Sequence, residues 1–212
     1  MKRVMLCSSC CALPSTPEGL ISIWVWVDTN VLHWQTYSRA SLRPKPPQTY
    51  QTRTYPSWLS RALRSGSTLH WLALSFAGLA HQIETAEREI AEGAGQIPSG
   101  TKPKDSRHND SSQRANVIAE ITNCWQAVES LASELRGGVV ADAGLVASAL
   151  PLMSWCAVDG YDLFMVEVLK AAGVIQVLSD DGDFCTVAGI TLFTANRAVI
   201  AQATSQQRLA TR

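Results

Sequence analysis

The feature that most constrains the fold is an alternation of short apolar runs with longer segments of helical spacing. Four of the runs are rich in β-branched and aromatic residues, namely residues 21–27, residues 68–74, "VIQVLS" and "ITLFT". Continuous runs of this composition are typical of strands that are buried on both faces of a sheet. Between the runs, apolar residues recur three and four positions apart, as at Val117, Ile121 and Trp125, which predicts helices. Strands that alternate with helices favour an α/β fold with a parallel sheet.

The charge balance and the composition fit one ordinary globular domain. Lys plus Arg number 18 and Asp plus Glu number 18, so the net charge is zero and a strongly basic nucleic-acid-binding protein is excluded. We predict a single domain at residues 21–204, between a poorly ordered extension at residues 1–20 and a tail at residues 205–212. The polar, Gly- and Pro-bearing residues 95–114 predict a flexible insertion. The longest apolar stretches, near residues 71–80, are too short to span a bilayer, so no membrane partner is expected.

The 6 cysteines do not form a recognisable metal or disulfide pattern. Cys7 and Cys10 make a C-x-x-C pair within "CSSCC", but no second pair follows at the spacing of a zinc site, and one pair of thiols is half of such a site. Nothing predicts a disulfide framework, so a reducing, cytoplasmic location is expected.

Residues 41–56, "SLRPKPPQTYQTRTYP", predict a loop because of their prolines and polar side chains. Basic residues alternate there with Tyr50 and Tyr55, a combination that can hold single-stranded nucleic acid through charge and stacking. The alternative is a simple solvated loop, because so few charges give a small electrostatic contribution to binding.

Aspartates gather at the ends of predicted strands and at one predicted helix start. Asp28 follows the first apolar run, Asp159 and Asp162 open "DGYDLF", and three more lie in "VLSDDGDF". Because ligands bind where the carboxyl ends of parallel strands meet, we expect these side chains to converge at one edge of the sheet. Converging carboxylates repel one another unless they are protonated or bind a cation, and Mg²⁺ and Mn²⁺ prefer such oxygen ligands. The residues therefore predict an acidic metal site.

Each of these acids also has a purely structural interpretation. Asp28 would serve as the N-cap of the following helix, and Asp159 with Asp162 would form a capping pair. The stretch "SDDGD" is typical of a turn in which Gly182 supplies a positive φ. The sequence contains neither G-x-G-x-x-G nor G-x-x-x-x-G-K-[ST], so a dinucleotide or P-loop site is unsupported.

Three segments, "VDTNVL", "DLFMVEVLKAAGVIQVLSDDGDF" and "ITLFTAN", resemble the PIN-domain nucleases in the order and spacing of their acids and in their apolar strands. The resemblance covers roughly residues 24–201. It implies a three-layer α/β/α sandwich with a mostly parallel sheet, and a metal-dependent endoribonuclease that hydrolyses RNA phosphodiesters. Many members are toxins of bacterial toxin–antitoxin pairs, which implies an antitoxin protein as a partner, and the resemblance also points to a homodimer.

The resemblance implies roles for individual residues as well. Asp28, Asp162 and Asp181 match catalytic acids that hold Mg²⁺ or Mn²⁺, and Asp183 is expected to support Asp181 as a further metal ligand. Three residues match neighbouring supporting positions, namely Asn30, Asp159 and Ser179.

One position departs from the family pattern. Gly78 stands where the family has a glutamate early in a helix, which we expect to be capped by Ser75 and to end near Gly93. Glycine is also about 1 kcal/mol less favourable than alanine inside a helix. Glu84 lies six residues beyond Gly78, about 600° around the helix, so the two positions face different directions. Glu84 can therefore replace the missing acid as a metal ligand only if the helix has another register. His81 is nearer the same face but suits Mg²⁺ poorly, and a partly buried, hydrogen-bonded histidine is the alternative.

Two functional classes follow from these observations. The first is a PIN-type ribonuclease in which basic residues steer the RNA; these residues are Arg43, Lys45, Lys102, Lys104 and Arg107. The second is a catalytically weakened module on the same fold that binds RNA or protein, because Gly78 occupies the place of the glutamate. A phosphohydrolase or receiver-type protein is disfavoured, since the phosphohydrolase pattern has a second aspartate two residues after the first and Asn30 stands there.

Overall fold

The computed structural model describes the backbone of residues 3–6, 24–45, 47–135 and 143–211. This part of the chain forms one sheet that is covered by apolar side chains and helices on both faces. The predicted α/β class and the three-layer α/β/α arrangement are therefore confirmed.

Seven strands of the described chain form the sheet: β1 (Arg3–Leu6), β2 (Trp24–Val27), β3 (Thr68–Trp71), β4 (Ser133–Glu134), β5 (Gln176–Leu178), β6 (Thr191–Phe193) and β7 (Leu209–Thr211). Their order across the sheet is β4-β3-β2-β5-β6-β1-β7. Within this order, the first five strands (β4, β3, β2, β5 and β6) run parallel to one another. Strand β1 is antiparallel to both of its neighbours, β6 and β7. The sheet is thus mostly parallel, as predicted.

Eight α-helices lie within the same ranges: α1 (Thr29–Thr36), α2 (Thr49–Arg64), α3 (Ala73–Gly93), α4 (Pro103–Asn109), α5 (Ser111–Leu131), α6 (Ala143–Ala149), α7 (Gly160–Ala171) and α8 (Arg197–Ser205). Short 3₁₀ segments add single turns at Ser38–Leu42, Leu150–Ser154 and Asp183–Thr186. The sequence predicted α1, the second half of α2, α3, α5, α6 and α7, and the structure confirms these helices.

The side chains of β2 alternate between two separate hydrophobic cores. Trp26 lies in one core, in register with Val177 of β5, which in turn is level with Leu192 of β6. Val25 and Val27 lie in the other core, on the opposite face. Because both faces are covered, the strand needs an unbroken apolar run rather than an apolar–polar alternation.

Helix α2 begins inside the predicted loop of residues 41–56 and occupies its second half, residues 49–56. Pro56 lies inside the helix, where a proline removes a hydrogen-bond donor and costs about 3 kcal/mol. Tyr55 and Leu59 are nevertheless almost completely buried on its inner face. At its start, the amide of Gln48 donates to Oε1 of Gln51 at 2.8 Å. The loop prediction is wrong for this segment because burial against the rest of the domain outweighs the local effect of the proline.

Three other segments predicted to be irregular contain regular structure. Helix α4 lies within the predicted insertion, β1 within the predicted N-terminal extension and β7 within the predicted tail. Strands of three or four residues carry too little periodicity to be recognised in a sequence. The cysteines of "CSSCC" lie outside the described residues. None of the helices in the described part of the chain is long and apolar enough to cross a membrane.

Candidate active site

Asp28 lies at the carboxyl end of β2, where the chain passes directly into α1. Its amide donates to the carbonyl oxygen of Leu178 in β5 at 3.0 Å, which extends the contact between the two strands by one residue. Asp28 is 5 % exposed, and its Oδ1 accepts a hydrogen bond from the amide of Thr29 at 2.6 Å. The N-cap interpretation of Asp28 is thus confirmed, and its second carboxylate oxygen remains for other contacts.

Ser179 and Asn30 connect Asp28 to the loop that follows β5. The Oγ of Ser179 donates to Oδ2 of Asp28 at 2.5 Å and accepts from the amide of Asp181 at 2.8 Å. The Nδ2 of Asn30 donates to the same Oγ at 3.4 Å, while its Oδ1 accepts from the amide of Asp180 at 3.3 Å. Two of the three residues expected at supporting positions, Asn30 and Ser179, therefore make contacts with residues 180–183, which we call the acidic loop.

Burial and neighbouring negative charges raise the pKa of two aspartates at this edge, Asp28 and Asp162. Burial, followed by the charges of Asp162 and Asp181, raises the pKa of Asp28 to about 7. Burial likewise raises the pKa of Asp162 to about 6, with contributions from the charges of neighbouring acids, which are Asp181, Asp159 and Asp183. The strand ends and the helix start therefore bring these acids together, as expected from a parallel sheet. We call this group, Asp28, Asp159, Asp162, Asp181 and Asp183, the acidic cluster.

The first turn of α7 brings Asp159 and Asp162 to the cluster. Asp159 is the N-cap residue, and Gly160 follows it with a φ of 51°, a backbone conformation that favours glycine. The amide of Asp162 donates to the carbonyl oxygen of Asp159 at 3.0 Å, but the Asp159 side chain makes no capping hydrogen bond. Asp159 thus occupies the predicted N-cap position, but its side chain does not cap the helix, and its carboxylate is exposed.

Gly182 has a different role from the one predicted. Its φ is −74°, so the expectation of a positive φ in "SDDGD" is wrong. A Cβ atom at Gly182 would lie 2.9 Å from Cγ2 of Val199 in α8, which is too close for two carbon atoms. The turn is closed instead by Asp181, whose Oδ1 accepts from the amide of Asp183 at 2.8 Å. The glycine allows α8 to pack against the acidic loop.

Helix α2 supplies contacts to the acidic loop that no local sequence pattern predicts. Tyr50, Gln51 and Tyr55 hydrogen-bond to the carboxylate of Asp180. Pro56 and the polar residues around it predict a loop, and no local pattern pairs this helix with a loop more than 120 positions away. Because Tyr55 is fully buried, the stacking role considered for it is excluded.

Gly78 lies where α3 packs against the first turn of α1. A Cβ atom at Gly78 would lie 2.9 Å from Cγ2 and 3.2 Å from Oγ1 of Thr29, so a side chain there requires a shift of the neighbouring residue. The glycine is therefore explained by close helix packing directly beside Asp28. Ser75 is not the N-cap as expected, because α3 begins at Ala73, and the Oγ of Ser75 accepts from the amide of Leu72 at 3.4 Å.

The two residues considered in place of the family glutamate lie elsewhere on α3. Glu84 forms an ion pair with Arg107 of α4, with 2.6 Å between Oε1 and Nε. It is six residues beyond Gly78, which is about 9 Å along the helix axis. His81 is exposed, so the expectation of a partly buried histidine is wrong. Glu84 therefore ties α3 to α4.

The predicted RNA-steering residues differ in their freedom to meet a ligand. Arg43 forms an ion pair with Glu89, with 2.9 Å between Nε and Oε2. Glu89 is eleven residues beyond Gly78, about 16 Å along α3, so Arg43 is held well away from the acidic cluster. The three lysines predicted with it are exposed, namely Lys45, Lys102 and Lys104.

The acidic cluster has the donor chemistry of a site for a hard divalent cation. Its side chains offer carboxylate oxygens. Burial, with a smaller contribution from neighbouring acids, raises the pKa of Asp28 and of Asp162, and a bound cation would offset both effects. In the described ranges, no three His, Cys, Asp or Glu side chains lie close enough together to form a ready-made metal site. The residues fit such an ion by their chemistry, and side-chain movement is needed to bring the ligands together.

No family model matches this chain, and no curated protein matches it in sequence. Its function must therefore be inferred from the acidic cluster and the residues that hold it.

Proposed function

We propose that this chain is a metal-dependent endoribonuclease of the PIN type, which hydrolyses RNA phosphodiesters. The observation that carries the proposal is the placement of Asp28 and Asp181 at the carboxyl edge of a parallel sheet, where Oγ of Ser179 donates to Oδ2 of Asp28 at 2.5 Å and accepts from the amide of Asp181 at 2.8 Å. The order of these acids along the chain agrees with the resemblance seen in the sequence. Carboxylates that the fold holds together against their repulsion favour a cation-binding role over a purely structural one.

In this proposal Asp28, Asp162 and Asp181 hold Mg²⁺ or Mn²⁺, with Asp183 as a further ligand at the exposed margin. When bound, such an ion supplies Lewis acidity for the attacking water and neutralises charge on the phosphodiester. The protein supplies the orientation: Ser179 fixes one carboxylate oxygen of Asp28 through its 2.5 Å hydrogen bond. The same Oγ accepts from the amide of Asp181, so one hydroxyl sets the positions of two ligands.

The biological setting of the proposal comes from the resemblance alone. It makes the chain the toxin of a bacterial toxin–antitoxin pair, active as a homodimer in the cytoplasm and restrained by an antitoxin protein. Induced expression should then stop growth of a bacterial host, and the Asp28→Asn variant should not. Equal growth of cultures that express the two proteins to equal levels would contradict the toxin assignment.

The direct test is cleavage of a mixed RNA pool with Mn²⁺. We expect fragments from the wild-type protein, and no fragments in EDTA or with Asp28→Asn, which removes the charge of a proposed ligand. Asp105→Asn is the matched control, because Asp105 is exposed on α4, and it should cleave like the wild type. A folded wild-type protein that leaves RNA intact would overturn the nuclease assignment.

Metal binding gives a readout that does not depend on turnover. A ligand that binds only the folded state raises stability by RT ln(1 + [L]/Kd), which is about 2.7 kcal/mol at a hundredfold excess over Kd. Mn²⁺ should therefore raise the melting temperature of the wild type and of Asp105→Asn, but not that of Asp28→Asn. The same shift in all three proteins would place the ion somewhere other than the acidic cluster.

A second candidate is a module of the same fold that binds RNA or protein without cutting. Two observations favour it: Gly78 leaves no room for a side chain beside Thr29, and the described residues contain no ready-made metal site. In this case RNA binding survives Asp28→Asn, and neither protein cleaves.

The packing of Gly78 determines how the missing glutamate can be tested. Gly78→Glu alone places Cβ 2.9 Å from Cγ2 of Thr29, so a loss of stability would obscure any gain in activity. Thr29→Ala removes that methyl group and leaves the amide that Asp28 binds. The double variant Thr29→Ala/Gly78→Glu should gain Mn²⁺-dependent cleavage over Thr29→Ala if the glutamate was the lost ligand. Equal activity of these two variants would contradict that explanation.

A further inference from the structure

The hydroxyl of Tyr55 lies at the centre of a buried hydrogen-bond network beside the acidic cluster. It donates to Oδ1 of Asp180 at 2.7 Å and accepts from the amide of Ala195 at 3.0 Å. The Oγ1 of Thr194 and the carbonyl oxygen of Ser179 both lie 3.3 Å from it. Tyr55 is fully buried, so one buried side chain of α2 holds the loops that follow β5 and β6.

Asp180 and Asp181 are adjacent in the chain but belong to different networks. The carboxylate of Asp180 is bonded to α2, through Tyr55 and through Nε2 of Gln51, which lies 3.1 Å from its Oδ2. Asp181 is instead bonded on the side of Asp28, because its amide donates to Oγ of Ser179 at 2.8 Å and the same Oγ donates to Oδ2 of Asp28. Its own Oδ1 accepts from the amide of Asp183 at 2.8 Å. The backbone between the two residues therefore directs one carboxylate towards α2 and the other towards the acidic cluster.

We propose that Tyr55 is a positioning residue, which fixes Asp180 on α2 and thereby sets the direction of Asp181. The amide of Asp181 is held by Ser179 Oγ at 2.8 Å, and the Tyr55–Asp180 bond holds the loop from the other side. Without the Tyr55 hydroxyl, Asp180 loses its shortest side-chain hydrogen bond to α2. It keeps the longer bonds from Gln51 and Tyr50 and the bond from Nδ2 of Asn196 to its carbonyl oxygen at 2.9 Å. The effect on catalysis rests on the proposed nuclease function, whereas the positioning itself does not.

The first experiment compares Tyr55→Phe with Tyr37→Phe. Tyr37 is a matched control, because it is also buried and donates to a carboxylate, Oε1 of Glu87, at 2.6 Å. We expect Tyr55→Phe to speed amide hydrogen exchange at Asp181 and Asp183 about tenfold, the effect of losing one hydrogen bond. Tyr37→Phe should leave exchange at these amides unchanged. Unchanged exchange in Tyr55→Phe, or an equal increase in both variants, would overturn the proposal.

Asp180 gives a second comparison, which also serves if Tyr55→Phe does not fold. Asp180→Asn keeps a carbonyl oxygen that accepts from the Tyr55 hydroxyl, so exchange at Asp181 should stay close to that of the wild type. Asp180→Ala removes the acceptor of the Tyr55 bond and of the bonds from Gln51 and Tyr50, so it should speed exchange at Asp181 at least as much as Tyr55→Phe. Equal exchange in the Asn and Ala variants would show that the hydrogen bond does not hold the loop, and would overturn the proposal.

Catalytic measurements separate this inference from the proposed function. For a nuclease, Tyr55→Phe should lower kcat about tenfold and leave KM for RNA unchanged, because Asp181 acts on the reaction and not on the distant parts of the RNA. Tyr37→Phe should alter neither constant. If the folded wild type neither binds Mn²⁺ nor cleaves RNA, the nuclease function fails, and the exchange comparison still decides the role of Tyr55.

Discussion

Ser179 donates a 2.5 Å hydrogen bond to Oδ2 of Asp28, a residue 151 positions earlier in the chain. The bond joins the carboxyl ends of two adjacent parallel strands, β2 and β5. Hydrogen bonds to an ionised carboxylate are stronger than those to a neutral one, so Ser179 stabilises the charged form of Asp28. It thereby lowers a pKa that burial raises.

Replacement of Ser179 by alanine should destabilise the protein by about 1–3 kcal/mol, the effect of leaving buried polar groups without a partner. The loss should be greater at pH 8 than at pH 5, because only the ionised carboxylate of Asp28 depends on the donated proton. Urea unfolding at the two pH values measures the difference. Ser75→Ala is the matched control, since Ser75 is equally buried in the first turn of α3, and its effect should not depend on pH. An equal loss for Ser179→Ala at both pH values would contradict this account.

The stability of the wild type should fall as the pH rises from about 4 to 7. The folded-state pKa of Asp28 is raised from 3.8 to about 7, so the folded protein binds more protons than the unfolded chain across this window. The stabilisation is complete below pH 3.8 and is lost as the pH passes through 7. Asp162, with a pKa of about 6, adds a decrease in the same direction. The free energy of unfolding should decrease by roughly 2–4 kcal/mol through Asp28 alone.

Asp28→Asn isolates this contribution, because asparagine does not titrate. Urea unfolding at half-unit steps between pH 4 and 8 should give a shallower pH dependence for the variant than for the wild type. Parallel curves would show that the carboxylate of Asp28 titrates alike in the folded and unfolded chains.

The strands and the long helices could be predicted because their causes are local. The runs that contain Trp26 and Val177 are apolar without interruption, and such runs are required where a sheet is covered on both faces. The positions of Asp28 and Asp181 follow from the same logic, since both directly follow buried strands whose carboxyl ends meet. Fold class and acidic edge were therefore both accessible from sequence.

What could not be predicted depends on contacts between distant segments. Helix α2 forms despite Pro56 because Tyr55 is buried against loops near Asp180 and Ala195. Gly78 is likewise explained by a residue far away in the sequence, because a side chain at position 78 would collide with Thr29 of α1. Local propensity carries no information about either neighbour, so these contacts required the three-dimensional arrangement of the helices.

Lys102 and Lys104 are exposed on and beside α4 and provide a test of the steering prediction. A plot of the logarithm of the RNA-binding constant against the logarithm of the salt concentration has a slope of about −0.7 for each phosphate contact with a single strand. If each lysine neutralises one RNA phosphate, the double variant Lys102→Ala/Lys104→Ala should reduce the magnitude of this slope by about 1.4. Fluorescence anisotropy in EDTA, from 50 to 200 mM salt, measures this slope without cleavage. Arg43→Ala is the control, because Arg43 is already paired with Glu89. An unchanged slope in the lysine variant would exclude α4 from the RNA path.

The packing of Gly78 against Thr29 predicts a mutation whose sign depends on its neighbour. Gly78→Ala gains about 1 kcal/mol of helix propensity but places a methyl group 2.9 Å from Cγ2 of Thr29, and such overpacking typically costs about 1–3 kcal/mol. In the wild-type background the variant should therefore be neutral or destabilised, by up to about 2 kcal/mol.

The Thr29→Ala background should reverse this outcome. It removes Cγ2 and Oγ1 and leaves only the Cβ of residue 29, at an ordinary contact distance of 3.4 Å from the new methyl group. Gly78→Ala should then stabilise the protein by up to about 1 kcal/mol, its full helix propensity. A double-mutant cycle by urea unfolding measures the coupling, which should exceed about 1 kcal/mol for two residues in contact. Additive effects would mean that α1 and α3 separate to admit the side chain, and the glycine would then need another explanation.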